Sequence, residues 1–202
     1  LAKMRVGVFV GVLAVMAVVS SMPIDEIDIF ETFAIDEPNT VPFKWTDCGA
    51  TNDIGHVSAL SVSPDPIEIS KSQSENVTFS LTAGLTGTVT AASAKLTIKK
   101  KVLDIWTKIP CIDGVGSCTI PNVCTLLKPG PCDPILVAHG IPCQCPFKPF
   151  TAKFDPTAIA IHAQKSIPGF LANGDYEVQV ELYDPANTQI SCINVQASLK
   201  IE

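Results

Sequence analysis

The chain predicts an all-β domain: antiparallel strands in a cup or sandwich, interrupted by one disulfide-rich irregular segment. Three observations carry that prediction. Apolar and polar residues alternate with period two in several short windows, turn residues separate those windows, and no stretch of ten or more residues in the body repeats at 3.6. Eight cysteines, six of them within residues 111–145, complete the picture of a domain stapled in an oxidising compartment.

The elements follow in chain order. Lys3 and Arg5 precede an uncharged run of fourteen residues, Val6 to Val19, and then Ser20 and Ser21. A basic start, a short apolar run and small residues at its end describe a secretory signal, with Met4 as its start. The run falls short of the roughly 20 residues that span a bilayer. Residues 1–21 are therefore set apart from the fold. Residues 22–42 hold Asp25, Glu26, Asp28, Glu31, Asp36 and Glu37 without a basic residue and end at Pro38 and Pro42, which reads as an acidic disordered arm or propeptide. With that arm and the signal removed, 12 of the 14 basic residues remain against 14 of the 20 acidic ones. A body this near neutrality lacks the basic stripe that nucleic acid requires.

The body, residues 43–202, forms a single domain. Val57 to Val62 suggests a first strand. Val77, Phe79 and Leu81, then Ala94, Leu96 and Ile98, present one apolar face each, and Ile159 to Ile161 adds a short run. Tyr176, Val178, Val180 and Leu182 alternate with Glu177, Gln179 and Glu181. Ile193, Val195, Ala197 and Leu199 alternate in the same way with Asn194, Gln196, Ser198 and Lys200. Asp184-Pro185 with Asn187 separates these last two strands as the turn of an antiparallel pair. Between them and the earlier strands lies Pro110 to Pro149, rich in cysteine, proline and glycine. Proline cannot donate to a sheet ladder, so bridges rather than hydrogen bonds would order this stretch.

The cysteines are Cys48, Cys111, Cys118, Cys124, Cys132, Cys143, Cys145 and Cys192; eight allow about a hundred pairings, and spacing does not choose among them. Zinc is disfavoured: no CxxC pair is present, and His56, His139 and His162 stand at no ligand spacing. No metal or cofactor is expected. Catalysis lacks a visible constellation too. Gly114-Val115-Gly116-Ser117-Cys118 is not a nucleophile elbow, and the scattered carboxylates read as solvated surface charge. Asn76-Val77-Thr78 is a glycosylation sequon, in keeping with secretion.

Several segments resemble the ganglioside GM2 activator family. They are Phe43-Lys44-Trp45-Thr46-Asp47-Cys48, Pro64-Asp65-Pro66-Ile67, the sequon at Asn76, Ile105-Trp106-Thr107-Lys108-Ile109-Pro110-Cys111, Gly116-Ser117-Cys118-Thr119, Gly140 to Lys148, Asn173-Gly174-Asp175-Tyr176, and Cys192 to Lys200. The resemblance spans about residues 43 to 202 and includes the order and spacing of all eight cysteines. It implies a β-cup enclosing an apolar cavity for a ceramide tail. It also implies a non-enzymatic role: lifting a sphingolipid or other lipid from a membrane surface and presenting it to a β-hexosaminidase in the lysosomal lumen. By position it implies bridges Cys48–Cys192, Cys111–Cys118, Cys124–Cys145 and Cys132–Cys143. One departure is a Cys124–Cys132 interval several residues shorter than in the family, so that loop cannot make all the same contacts.

Two segments are expected to touch lipid or membrane: Ile105 with Trp106, and Ile167-Pro168-Gly169-Phe170-Leu171. A tryptophan flanked by Lys101 and Lys108 suits a membrane interface, and Pro-Gly holds Phe170 and Leu171 at a turn. Core packing is the alternative for each. Val178, Val180, Leu182, Ile193 and Val195 point inward in either case and would line the cavity. The rival to a lipid-presenting protein is a secreted module that senses lipids in defence or chemical signalling.

Overall fold

Strand formation begins soon after Pro42, at Lys44. The computed structural model describes residues 40–70, 75–127, 130–132, 134–161 and 173–201. Within them, strand β1 is Lys44–Asp47, β2 Gly55–Ser63, β3 Ile67–Ile69, β4 Glu75–Leu85 and β5 Ser93–Val102. Then come β6 Ile105–Lys108, β7 Thr119–Ile120, a 3-10 turn at Val123–Leu126, and helix α1 at Pro134–Ala138. The long strands β8 Phe150–Ile161, β9 Gly174–Tyr183 and β10 Gln189–Ile201 close the chain.

The strands form two sheets. One runs β1-β10-β9-β5-β6, with β3 also beside β10 and β7 beside β5; the other runs β2-β4-β8. Among the described strands every pairing is antiparallel except β3 with β10, where Leu199 stands opposite Ile67. The fold class is the all-β, antiparallel, disulfide-bridged one that the alternation predicts. The period-two windows map onto β2, β4, β5, β8, β9 and β10. The short strands β1, β3, β6 and β7 carried too few alternations to be read.

The inner faces of both sheets share one core. Leu60, Phe79, Leu81, Ala152 and Phe154 of the smaller sheet meet Ala94, Leu96, Val180 and Ile193 of the larger. Phe154 is 2% exposed and stacks on Phe79 at 4.8 Å between ring centres. An aromatic pair placed like this adds a geometric preference to the gain from burial.

Four bridges join Cys48–Cys192, Cys111–Cys118, Cys124–Cys145 and Cys132–Cys143. The segment they pin is part of the core rather than a covering loop. Leu136 of α1 (2% exposed) and Ile141 (6%) belong to the main cluster. His139 stacks on Phe154 at 3.8 Å, and its Nδ1 lies 3.0 Å from the Lys153 carbonyl on the open edge of β8. Through β7, the same segment pairs with β5 at Ala94 and Lys95. Covering an edge strand in this way removes a template for unwanted strand addition.

The sheets are also tied by Asp47 at the end of β1. Its carboxylate accepts the N–H groups of Val57 (3.0 Å) and Gly49 (2.9 Å) and faces His56 Nδ1 at 3.0 Å. Next to it, Cys48 bonds its N–H to the Cys192 carbonyl at 3.1 Å. Bridge and carboxylate together fix β1, β2 and β10 at one end of the molecule.

Two residues depart from the wet face that alternation assigned to β9 and β10. Ser198 and Asp175, opposite each other in register, are 1% and 7% exposed. The entering chain covers them. Val41 N–H reaches the Ser198 hydroxyl at 2.8 Å and the Asp175 carboxylate at 3.1 Å. The Ser198 hydroxyl in turn contacts Asp175 Oδ1 and, at 2.9 Å, the Val41 carbonyl. A serine and an aspartate read as polar in sequence become buried because their hydrogen bonds close on one another. Val41, which the expected arm includes, is therefore part of the packed body.

Candidate lipid-binding cup and membrane-facing hairpin

The larger sheet presents its inner face as rows of cross-strand neighbours. Register places Trp45, Val195, Val178 and Ile98 in one row across β1, β10, β9 and β5. The next row inward holds Ile193, Val180 and Leu96. Of the five residues expected to line a cavity, Val180 and Ile193 are buried, both at 3% exposure. Val178, Leu182 and Val195 share that face and pack against the core, yet stay only half-buried, as do Trp45 and Phe43.

Strand direction places two distinct ends. Ser93, Tyr183 and Leu85 lie at the end fixed by Cys48–Cys192 and Asp47, with the smaller Val89, Ala92, Phe147 and Ile190 cluster beside them. At the other end β5 turns into β6, β9 begins at Gly174 and β8 stops at Ile161. The strand termini that flank residues 162–172 therefore stand at the same end as the β5–β6 hairpin. Ile167, Phe170 and Leu171 themselves lie outside the described residues.

The hairpin tip is apolar and exposed. Val102, Leu103 and Ile105 are 43%, 64% and 68% exposed. Val102 pairs with Ile105, and Lys101 with Trp106. Ile105 and Trp106 thus open a strand rather than sit within a loop, and adjacent strand residues face opposite ways. Trp106 is half-buried on the face it shares with Lys101. The turn residues Leu103 and Asp104 both have positive φ, 49° and 65°, as a two-residue type I′ turn demands. Glycine or asparagine usually fills such positions, so a leucine here is strained as well as exposed. Sequence reasoning passed over Val102 and Leu103; the apolar run Val102-Leu103 before Asp104 was the available signal. Lys101 Nζ meets Asp104 Oδ1 at 2.7 Å across the tip.

On the outer face, β5 and β9 carry an ionic ladder. Lys95 meets Glu181 at 2.9 Å and Lys99 meets Glu177 at 2.6 Å, while Gln196 adds a bond to Glu177 at 2.8 Å. Burial pushes both carboxyls upward. Hydrogen bonds and charge from the lysines, with Gln196 at Glu177 and the Tyr183 hydroxyl at Glu181, outweigh it and leave both below the usual range. The hydrogen bond from Lys95 to Glu181 and their attraction hold the Lys95 ammonium above its ordinary value. The ladder braces β5 against β9, with its lysine ends in water and its carboxylates largely covered.

Asn76 of β4 is exposed while its neighbour Val77 is buried at 7%, so the sequon asparagine lies on the outer side of the smaller sheet. Among the described residues no group of three or more His, Cys, Asp or Glu side chains could hold a metal ion. No helix among them is long and apolar enough to cross a membrane.

Comparison with known proteins gives the family. Residues 42–199 match the ML domain family. Ganglioside GM2 activator of Mus musculus is 33% identical over 164 residues, covering 78% of this chain and 82% of that protein. The Macaca fascicularis ganglioside GM2 activator is 33% identical over 165 residues, covering 78% and 83%. Among solved structures, a Niemann-Pick type C2 protein from Japanese carpenter ant aligns with a TM-score of 0.40 at 17% identity, over 78% of this chain and 99% of that one. Chicken MD-1 complexed with lipid IVa aligns at 0.38 and 15%, over 77% and 88%. The chain belongs to the ganglioside GM2 activator family of ML-domain proteins.

Proposed function

We propose that this protein is a non-enzymatic lipid carrier that takes a lipid tail between its two sheets, extracts it from a membrane and presents the head group to a soluble hydrolase. The observation that carries this reading is the half-buried row Trp45, Val195 and Val178 on the inner face. Side chains that point at a sandwich core are normally withdrawn from water. Here they remain partly accessible next to buried Val180 and Ile193, which suits an apolar pocket open at one end.

The hairpin supports the same reading. Val102, Leu103 and Ile105 expose apolar side chains at the open end, and Leu103 does so in a backbone region costly for leucine. Strain and exposure at one residue serve no purpose in the fold alone and suit insertion into the interfacial layer of a bilayer. By its kinship with ganglioside GM2 activators, the carried lipid is a sphingolipid and the hydrolase a β-hexosaminidase of the lysosomal lumen. The expected segment at Ile167, Phe170 and Leu171 would form a second lip at that end, and Asn76 would carry a glycan.

Native mass spectrometry of the secreted protein, followed by organic extraction, tests the proposal. A co-purifying sphingolipid or phospholipid supports the carrier. A protein that stays empty after incubation with mixed liposomes overturns it. A protein that retains lipid but neither transfers it nor stimulates β-hexosaminidase at acid pH would instead be a secreted lipid-recognition module.

A further inference from the structure

His56, near the start of β2, makes two contacts that together fix how many protons its ring must carry. Nδ1 lies 3.0 Å from Asp47 Oδ2, and Nε2 lies 3.0 Å from the Asp53 carbonyl oxygen. A carbonyl oxygen only accepts, so Nε2 needs a hydrogen to bond it. The same holds for Nδ1 against a carboxylate, and Asp47 already accepts the N–H groups of Val57 and Gly49. A neutral imidazole has one N–H and satisfies one of these contacts; the imidazolium satisfies both. Moving the second proton onto Asp47 leaves the count unchanged. The pair still holds one proton more than a neutral ring facing a carboxylate.

The groups around the ring favour that extra proton. β1 brings Asp47, and the turn 50–53 brings Asp53, whose side chain accepts from Ala50 N–H at 3.1 Å and Gln189 Nε2 at 3.0 Å. On β4 the residue opposite His56 is Gly84, and beyond it β8 has Thr151. Lys153 of β8 stands opposite Thr82 and pairs with Asp155 at 3.0 Å. From β9, Tyr183 gives its hydroxyl to Glu181 at 2.8 Å and feels the Asp53 charge. With its side chain 39% exposed, His56 exchanges protons directly with water.

We infer that His56 is a proton-operated latch on the turn 50–53, shut in acid and opened as the ring loses its Nε2 proton. With both nitrogens protonated, the ring ties the turn to β1 and β2. When one proton leaves, Nδ1–H stays on the carboxylate, the stronger acceptor. Nε2 then turns a lone pair to the Asp53 carbonyl oxygen, and the turn lets go there. The residue after the turn cannot follow it. Ile54 packs against the cluster of Val89, Ala92, Phe147 and Ile190, and its carbonyl accepts Thr86 N–H at 2.7 Å. Movement is therefore confined to the turn, at the end fixed by Cys48–Cys192. The latch does not depend on the lipid-carrier reading.

Ring-nitrogen NMR and amide hydrogen exchange read the two sides of the switch. At about pH 5 both His56 nitrogens should be protonated, and by about pH 8 Nε2 alone should be bare. Over that interval the protection of the Ala50 and Asp53 amides, corrected for the intrinsic pH dependence of exchange, should fall about fivefold, as loss of one hydrogen bond allows. The Gly49 and Val57 amides, which bond Asp47, should keep theirs. His56→Gln identifies the ring signals by their absence and should hold the Ala50 and Asp53 protection level across the interval. His56→Phe, which has no donor at all, should do the same.

An Nε2 already bare at the acid end overturns the latch, as does one still protonated at the alkaline end. An equal fall of protection in His56→Gln would put the pH response in another group and overturn it too. Loss of the proton from Nδ1 in place of Nε2 would free β1 rather than the turn, and the assignment would fail.

Discussion

Ile105 and Trp106 are consecutive in the chain and face opposite sides of the β5–β6 hairpin: Ile105 pairs with Val102 at the exposed tip, Trp106 with Lys101 where it is half-buried. Their substitutions should therefore separate. Leu103→Ser combined with Ile105→Ser should cut vesicle co-sedimentation and lipid extraction several-fold, with the denaturation midpoint nearly unchanged, because exposed side chains contribute within about 0.5 kcal/mol. Trp106→Ala should lower stability by about 1–3 kcal/mol as well. Equal extraction by wild type and the double variant would take the hairpin off the membrane.

The Cys48–Cys192 bridge spans 144 residues and ties the start of the domain to its last strand. Chain-entropy reasoning assigns a closure of that size about 4–5 kcal/mol. Replacing both cysteines with alanine should lower unfolding free energy by an amount of that order in urea titration. The Cys111–Cys118 bridge, with a separation of 7, should matter less when removed in the same way. A larger loss from the short bridge would contradict the entropic account.

Ser198 and Asp175 are buried beneath Val41. Ser198→Ala leaves the Asp175 carboxylate without its hydroxyl partner and should cost about 1–3 kcal/mol. Amide hydrogen exchange at Val41 should speed up with it, since the entering chain loses an acceptor. An unchanged exchange rate would mean that Asp175 holds Val41 alone.

Glu177 and Glu181 bind protons more weakly in the folded protein than in the unfolded chain. Their pairs with Lys99 and Lys95 accordingly stabilise the fold above the ordinary carboxylate value of 4.5 and lose that contribution as pH falls through the lowered folded values. The lysine partners keep 52% and 36% of their side-chain surface in water, so each pair is worth no more than about 1 kcal/mol. Glu177→Gln with Glu181→Gln should be less stable than wild type at pH 7, with the gap closing towards pH 3, read by denaturation midpoints. A gap that widens in acid would reverse the assignment.

The β class, the principal strands and their apolar faces were legible in the sequence because alternation is a local consequence of the pleat: Phe79, Leu81, Leu96 and Val180 announce their side without reference to any other strand. The family was legible as well, in motifs such as Ile105 to Cys111 and Gly140 to Lys148. What only the tertiary structure decided is non-local. Ser198 and Asp175 look wet until Val41, more than 130 residues away, covers them. Trp106 and Ile105 share a motif until pairing with Lys101 and Val102 sends them to opposite faces. Lys100 reads as the middle of a solvated lysine run until its register with Tyr176 places it on the apolar wall. Alternation gives each strand two faces, and only the packing of distant segments determines which of them meets the core, the solvent or a ligand.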